Sequence, residues 1–471
     1  MSRKAGLGGS VLLAVFTCAS LLCAQSTPGQ TLDANYKAAV AEYGAGRYDE
    51  AAHRLEAVLP LATGSFQVHE LLGLIYASMS ENAKALSQLQ LAVRLQPNSA
   101  AARTNLGACL LKSGQSALAA EQFRKSLQLD SSAYDANHDL GELYIQSGKL
   151  AQAVPLLVAA QKANPSSYNN GFDLVMADFQ LGRLSQAKIA ATSLLKKHET
   201  GELHDLLGEI DEKSGDFMGA ANEYQTAAHL DPSEDNLFDW GSEMLLHRTY
   251  EPAISIFQNA TQRYPNSPRL FVGLGLALYS RGLYDDAVKA LLRAADLDPS
   301  DPRCYLFLSK AYDSSPGLAT AVTDRFRRYA EEQPNNSRAQ YYYAISLWKA
   351  KRTAGSPVDL GTVESLLKKS IALDDSLAEA HVQLGDLYED QHQYENSIPQ
   401  YQRALALDPT LSDAHYRLGM DYVHVGKKDL AQKELAVYQQ LRAKHLAQVD
   451  KERAEVRQFV YSSKPPNAST P

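Results

Sequence analysis

A Leu-Gly or Trp-Gly pair returns at a fixed interval between residues 72 and 419, and that interval constrains the fold more than any other feature. The glycines are Gly73, Gly107, Gly141, Gly208, Gly241, Gly275, Gly385 and Gly419, spaced 34, 34, 67, 33, 34, 110 and 34 residues apart. The two long gaps obey the same beat: 67 is two periods less one residue, and 110 is three periods plus eight. A unit of this length is one supersecondary element that cannot bury its apolar face alone, so a run of units must stack as a solenoid. A chain of 471 residues is too long for one globular core and natural for such an array.

The segment from Phe66 to Pro97 shows what each unit contains. Leu72, Gly73 and Tyr76 share one face of a first helix, and Ala85, Leu89 and Ala92 one face of a second, which Pro97 ends. Spacings of three, four and seven are those of a helical stripe. Glycine inside a helix costs about 1 kcal/mol relative to alanine. Its return at one phase therefore predicts close backbone approach, with small residues facing large ones across two antiparallel helices. Offsets of 12, 16, 19 and 24 from the glycine give Ala220, Tyr224, Ala227 and Pro232 after Gly208. They give Ala253, Phe257, Ala260 and Pro265 after Gly241, and Ala287, Leu291, Ala294 and Pro299 after Gly275.

These positions resemble the signature of the tetratricopeptide repeat family, and the likeness covers almost the whole chain after residue 30. The resemblance implies an all-α fold, an α-solenoid coiled as a right-handed superhelix of about twelve helix-turn-helix repeats. The units are expected to start near residues 32, 66, 100, 134, 168, 201, 234, 268, 302, 337, 378 and 412. A long C-terminal capping helix is expected to run to residue 461, so that the array spans 25–461, and residues 462–471 read as a disordered tail. Some units are degenerate: Ala39 and Val175 replace the glycine in the first and fifth. The ninth gains one residue near Ser314–Gly317 and the tenth gains seven around Thr353–Asp359, and both interruptions are expected to exchange amide protons fast.

Residues 1–24 stand apart. Arg3 and Lys4 precede a short apolar run, Val11 to Leu22, and Ala24 before Gln25 offers a small residue for cleavage. This reads as a secretory signal peptide, with an uncleaved anchor as the alternative. Leu22 before Cys23 disfavours a lipoprotein, and no second long apolar run offers a direct membrane span once the leader is removed. A periplasmic or secreted location follows. The full chain carries 46 Lys and Arg against 54 Asp and Glu, and loss of Arg3 and Lys4 makes the balance more acidic still. That argues against nucleic acid as a partner. Cys109 and Cys304 lie too far apart in a linear array to form a disulfide.

No phosphate loop, nucleophile elbow or zinc spacing occurs, and the twelve histidines read as scattered satisfied or surface residues. The expectation is a non-enzyme with no catalytic residue, no metal site and no cofactor. What remains is surface. In the family it resembles, the first helix of each unit lines the concave face, at positions three before, one after and four after the glycine. Those positions hold Phe172, Met176 and Phe179 in the fifth unit, and Asp205, Glu209 and Glu212 in the sixth. They hold Phe238, Ser242 and Leu245 in the seventh, Val272, Leu276 and Tyr279 in the eighth, and Tyr341, Ile345 and Trp348 in the tenth. Six before the glycine, units eight to ten carry Arg269, Arg303 and Arg338. Arginine in a first turn opposes the helix dipole, so helix stability did not select these three.

The expected partner-binding set is therefore Arg269, Arg303, Arg338, Phe238, Tyr279, Tyr341, Trp348, Phe172 and Phe179, receiving a protein or an extended peptide with acidic groups. The acidic sixth unit would suit a basic segment of the same partner or repel wrong ones. Packing between first helices is the alternative for the aromatic stripe, and solvated charge pairing the alternative for the arginines. The carboxylate clamp of lysines, asparagines and arginine known in the family is absent from Thr104 to Glu142. The functional expectation is an exported scaffold for protein interaction. Its alternatives are a structural part of an envelope export or polysaccharide-secretion assembly, or an accessory that presents substrate to a separate enzyme. The oligomeric state is left open.

Overall fold

The computed structural model describes residues 28–312, 315–354 and 359–462. The leader, the tail beyond residue 462 and the centres of the two interruptions, 313–314 and 355–358, lie outside them. Among the described residues are 24 α-helices and no strand, so the fold is an all-α solenoid. The first unit of structure ends at Glu199 and holds five helix pairs. They are α1 and α2 (Pro28–Gly44, Tyr48–Val58), α3 and α4 (Phe66–Ser78, Asn82–Leu95), and α5 and α6 (Ala100–Lys112, Ser116–Leu129). Then come α7 and α8 (Tyr134–Gln146, Leu150–Ala163), and α9 and α10 (Tyr168–Gln180, Leu184–Leu195).

The second unit starts at Thr200, whose side chain caps its first helix. It holds α11 and α12 (Gly201–Ser214, Phe217–Leu230), α13 and α14 (Glu234–Leu246, Tyr250–Arg263), and α15 and α16 (Pro268–Arg281, Tyr284–Leu297). After these come α17 and α18 (Pro302–Ala311, Ala319–Glu332), and α19 and α20 (Ser337–Ala354, Leu360–Leu373). The last are α21 and α22 (Ala378–Asp390, Tyr394–Leu407), and α23 and α24 (Ser412–His424, Lys428–Ser462).

Three local devices recur among the hairpins, though α7, α21 and α23 start without a side-chain cap. A hydroxyl or carboxylate eight residues before the glycine starts the first helix: Ser65, Ser99, Thr200 and Ser267 each accept a hydrogen bond from the backbone N–H three residues on. Such caps contribute about 1 kcal/mol. The residue seven after the glycine then turns the chain through the left-handed region. Glycine fills it at 46, 114, 148, 182, 215, 282 and 426, whereas Ser80, Arg248 and His392 adopt φ of 61°, 59° and 58° there. The third device is the close approach itself. A Cβ on Gly73 would lie 2.6 Å from Leu89, one on Gly208 2.8 Å from Tyr224, and one on Gly385 2.7 Å from Tyr401. In each case the colliding side chain is the one 16 residues on. The fifth unit reverses the sizes: Val175 on the first helix faces the second-helix register of Ala191, and both are fully buried.

The inserted residues leave this core intact. Phe326 in the ninth unit and Leu367 in the tenth, displaced by one and seven residues from the regular offset, are both fully buried. Where a serine replaces the small second-helix alanine, its hydroxyl is satisfied. Ser126 Oγ donates to the Ala100 carbonyl at 2.9 Å, and Ser370 Oγ to that of Ser337 at 2.9 Å.

Candidate functional site

The three arginines expected to form a ladder have different fates. Arg269 is held by the preceding hairpin: its Nε donates to Glu234 at 2.7 Å, a second nitrogen reaches Asp235, and its guanidinium lies 4.9 Å from the centre of the Phe238 ring. Arg303 folds back on Asp301, the residue that caps its own helix, at 2.8 Å. Arg338 is exposed and forms no ion pair among the described residues. Stacking brings Arg303 and Arg338 to one cavity of about 360 Å³ between α17, α18 and α19, with Pro302, Leu306, Tyr329, Asn336 and Tyr342 completing its walls. Its aromatic floor is rigid: Tyr329 stacks on Tyr305 at 3.8 Å and Asn336 donates to the Tyr329 hydroxyl at 3.1 Å. Arg269 is not part of this cavity.

The aromatic residues divide in the same way. Phe238, Tyr279 and Tyr341 are half-buried, in contact with Phe257, Tyr284 and Tyr342. Tyr341 also lines a second cavity of about 340 Å³, where α19 meets α21 and α23. Phe172 is half-buried and stacks on Tyr168. Trp348 and Phe179 correct the expectation: they are only 6% and 7% exposed. A partner cannot reach atoms that neighbouring helices already cover, so these two serve packing. Their register positions match those of the open aromatics, but the adjacent helix lies over them.

The acidic positions form two sites in one register. On α21, Asp386 and Glu389 both accept from the hydroxyl of Tyr401 on α22, at 2.7 and 2.9 Å. Arg417 on α23 closes the group, with Nε 3.1 Å from Asp386 and Nη1 2.9 Å from Glu389. On α11, Glu209 and Glu212 occupy the matching positions, and Tyr224 on α12 donates to Glu212 at 3.2 Å. Here the residue that matches Arg417 is Asp239 on α13. Burial, with repulsion from Asp239, Glu209 and Asp235, lifts Asp205 to about 7. Burial lifts Asp239 to about 6, with Glu209, Asp235 and Glu212 adding to the rise and Arg269 opposing it. Sequence reading found the acids of α11 but missed this contrast. The signal was available by aligning units and reading the position two before each glycine.

The histidines are also less scattered than they read. His69, His204, His381 and His415 stand four before their glycines and meet the second helix 19 residues on, at Gln88, Glu223, Gln400 and Glu434. In three of them the other ring nitrogen lies 3.2–3.3 Å from a carbonyl of the preceding loop. They lock the unit junctions. Among the described residues no three His, Cys, Asp or Glu side chains are grouped to hold a metal, and no helix is long and apolar enough to cross a membrane.

Comparison with known proteins gives the same repeat. Family signatures described as "Tetratricopeptide repeat" match residues 36–99, 70–136 and 247–302, and another of that description matches 111–170. One described as "TPR repeat" matches 390–422. The TPR repeat-containing protein YpiA of Bacillus subtilis is 26% identical over 149 residues, 32% of this chain and 33% of its own length. The match thus spans about a third of that relative. Among solved structures, Naa15/Naa10 bound to HypK-THB aligns over 86% of this chain and 68% of that one, with a TM-score of 0.38 at 16% identity. Yeast Tom70 aligns over 93% and 98%, with a TM-score of 0.37 at 15% identity. These superpositions are loose, and the fold stands on the helices described above. The 34-residue hairpins, the glycine contacts and the matched signatures make this chain a member of the tetratricopeptide repeat family.

Proposed function

We propose that this chain is a non-catalytic, exported scaffold that binds an extended peptide of a partner protein, with the cavity of α17, α18 and α19 as the anchoring point. A protein-interaction role is what a repeat array of this family offers. The specific reading rests on one observation: Arg338, exposed and in no ion pair among the described residues, lines one cavity together with Arg303, Tyr329 and Tyr342. An arginine fork beside an apolar pocket suits a carboxylate next to an aromatic or aliphatic side chain. Arg269 contributes through Phe238 and stays bound to Glu234 and Asp235.

The test is capture of a fluorescein-labelled peptide of alternating glutamate and phenylalanine by the purified mature chain. Arg303→Glu with Arg338→Glu is expected to weaken binding by about a hundredfold, since each cation–carboxylate contact contributes on the order of tenfold. Unchanged binding refutes the anchoring point. Export has its own check. Mass spectrometry of the protein from the cell envelope or medium is expected to find an N-terminus at Gln25, and an intact Met1 there refutes cleavage.

A second reading draws on α24, which at 35 residues is more than twice as long as the 14-residue second helices of other units. An extended terminal helix would dock the scaffold to an envelope assembly. A mature protein found wholly free and monomeric in the soluble fraction counts against it.

A further inference from the structure

One register position changes sign along the array. Six residues before the glycine position, units eight to ten carry Arg269, Arg303 and Arg338, whereas units eleven and twelve carry Glu379 and Asp413. Stacking sorts these residues into two cavities on α19. Arg303 and Arg338 line the one between α17, α18 and α19, together with Tyr342. Glu379 and Asp413 line the one of about 340 Å³ where α19 meets α21 and α23, together with Tyr341, Val382, Leu411 and Ala414. A first-turn acid favours the dipole of its own helix, so the two carboxylates alone mark no ligand. The apolar walls between them, and the comparison with other units, add the rest. Asp235 and Arg269 hold this register position in successive units and form an ion pair. Arg338 and Glu379 also hold it in successive units, yet neither they nor Asp413 form an ion pair among the described residues, and all three are exposed. Other acids of the same hairpins are neutralised within the chain: Asp375 meets Arg403, and Asp386 and Glu389 meet Arg417.

We infer that the cavity of α19, α21 and α23 receives a basic side chain, lysine or arginine, from the same extended peptide whose acidic residue is held by Arg303 and Arg338. This rests on the reading that the α17–α19 cavity anchors a peptide, and it adds the chemistry of the next contact. A long basic side chain fits both parts of the cavity: its methylene stem lies on Tyr341, Val382 and Leu411 while its charge stays at the solvent side with Glu379 and Asp413. An acidic side chain there is repelled, so the change of sign across α19 selects which way round a peptide lies. Packed helices stand about 8–10 Å apart and an extended chain advances about 3.3 Å per residue, so the basic residue lies about three to six residues from the acidic one.

The experiment uses the mature chain and two fluorescein-labelled peptides, followed by anisotropy at about 0.15 M salt, roughly physiological ionic strength. Both peptides carry a glutamate–phenylalanine pair and a glycine–serine spacer of about four residues, the length the spacing above requires. One ends the spacer with lysine and the other with glutamine. The lysine peptide is expected to bind about tenfold tighter, since two exposed cation–carboxylate contacts each contribute roughly a few-fold. Glu379→Gln with Asp413→Asn is expected to erase that preference and leave the glutamine peptide's affinity unchanged. Glu395→Gln with Asp429→Asn removes two exposed first-turn acids from the second helices α22 and α24, outside the cavity, and is expected to keep the preference. A preference that survives Glu379→Gln with Asp413→Asn overturns the inference. An equal loss in the Glu395 and Asp429 pair overturns it too, because general charge attraction then explains both. If the glutamate–phenylalanine peptide of alternating sequence binds and lysine brings no gain, this inference alone falls. If no peptide binds, the anchoring reading falls with it.

Discussion

The hairpins α11–α12 and α21–α22 are built from one pattern, and their differences separate what relieves charge at a junction between units from what concentrates it. Both set a glycine against a tyrosine ring and surround the tyrosine hydroxyl with carboxylates. The α21 site is self-sufficient, because the next unit supplies Arg417. The α11 site is left electrostatically frustrated, because the next unit supplies Asp239. The turns differ too: α11–α12 turns on Gly215, and α21–α22 on His392 with φ of 58°. The complete site thus sits on the strained turn, and the incomplete site on the relaxed one. A repeat protein can vary these features singly because each unit contacts only its neighbours.

The largest effect that would break this comparison comes from Arg417→Ala. It leaves Asp386 and Glu389 facing each other beside Tyr401 without a cation. Loss of one partner of a fully buried pair costs about 3–5 kcal/mol. The Arg417 side chain is 38% exposed, so solvent screening lowers the expectation to about 2 kcal/mol. Urea denaturation measures it, and a loss below experimental error would mean that the two sites do not differ in closure.

The pH dependence comes next in size. A carboxyl raised in the folded state adds stability that is fully present below its unfolded value near 4 and is lost as pH rises through the folded value. For Asp205 and Asp239 that loss runs from about pH 4, the unfolded value, and is complete once pH has passed their folded values of about 7 and about 6. The facing groups are Glu209, Glu212, Asp235, Tyr224 and Arg269, from three other helices as well as α11. Asp239→Asn is therefore expected to stabilise the protein at pH 8 by about 1 kcal/mol after allowance for screening, and to give no gain at pH 4. Melting curves at both pH values decide it, and an equal gain at both would point to packing in place of charge.

The smallest effect sharpens the contrast of the turns. His392→Gly is expected to stabilise α21–α22 by about 0.5–1 kcal/mol, because a non-glycine residue in the left-handed region carries strain that glycine lacks. Amide exchange at Tyr388 and Gln391 should slow accordingly. No change there would show that the hydrogen bond between His392 Nδ1 and the Tyr394 hydroxyl, at 3.0 Å, already offsets the strain.

Much of this architecture was legible before any coordinates. The contact of Gly208 with Tyr224, or of Gly385 with Tyr401, follows from an offset of 16 residues that a helical hairpin must satisfy. Buried alanines such as Ala220 and Ala227 follow from the same geometry. The ladder of arginines was legible as residues and not as partners. Arg269 meets Glu234 and Asp235 one period back, and Arg417 meets Asp386 and Glu389 across the same kind of junction. Trp348 and Phe179 occupied open register positions and are buried.

The sequence alone determined the repeat, the hairpin inside each repeat and the pairing of small with large residues, because those depend on spacing within one unit and on the fixed pitch of a helix. Tertiary structure decided which charges are spent between neighbouring units, as at Arg269 and Arg417, and which stay exposed, as at Arg338. Contacts between units depend on how one hairpin settles on the next, and no spacing within a single unit carries that information.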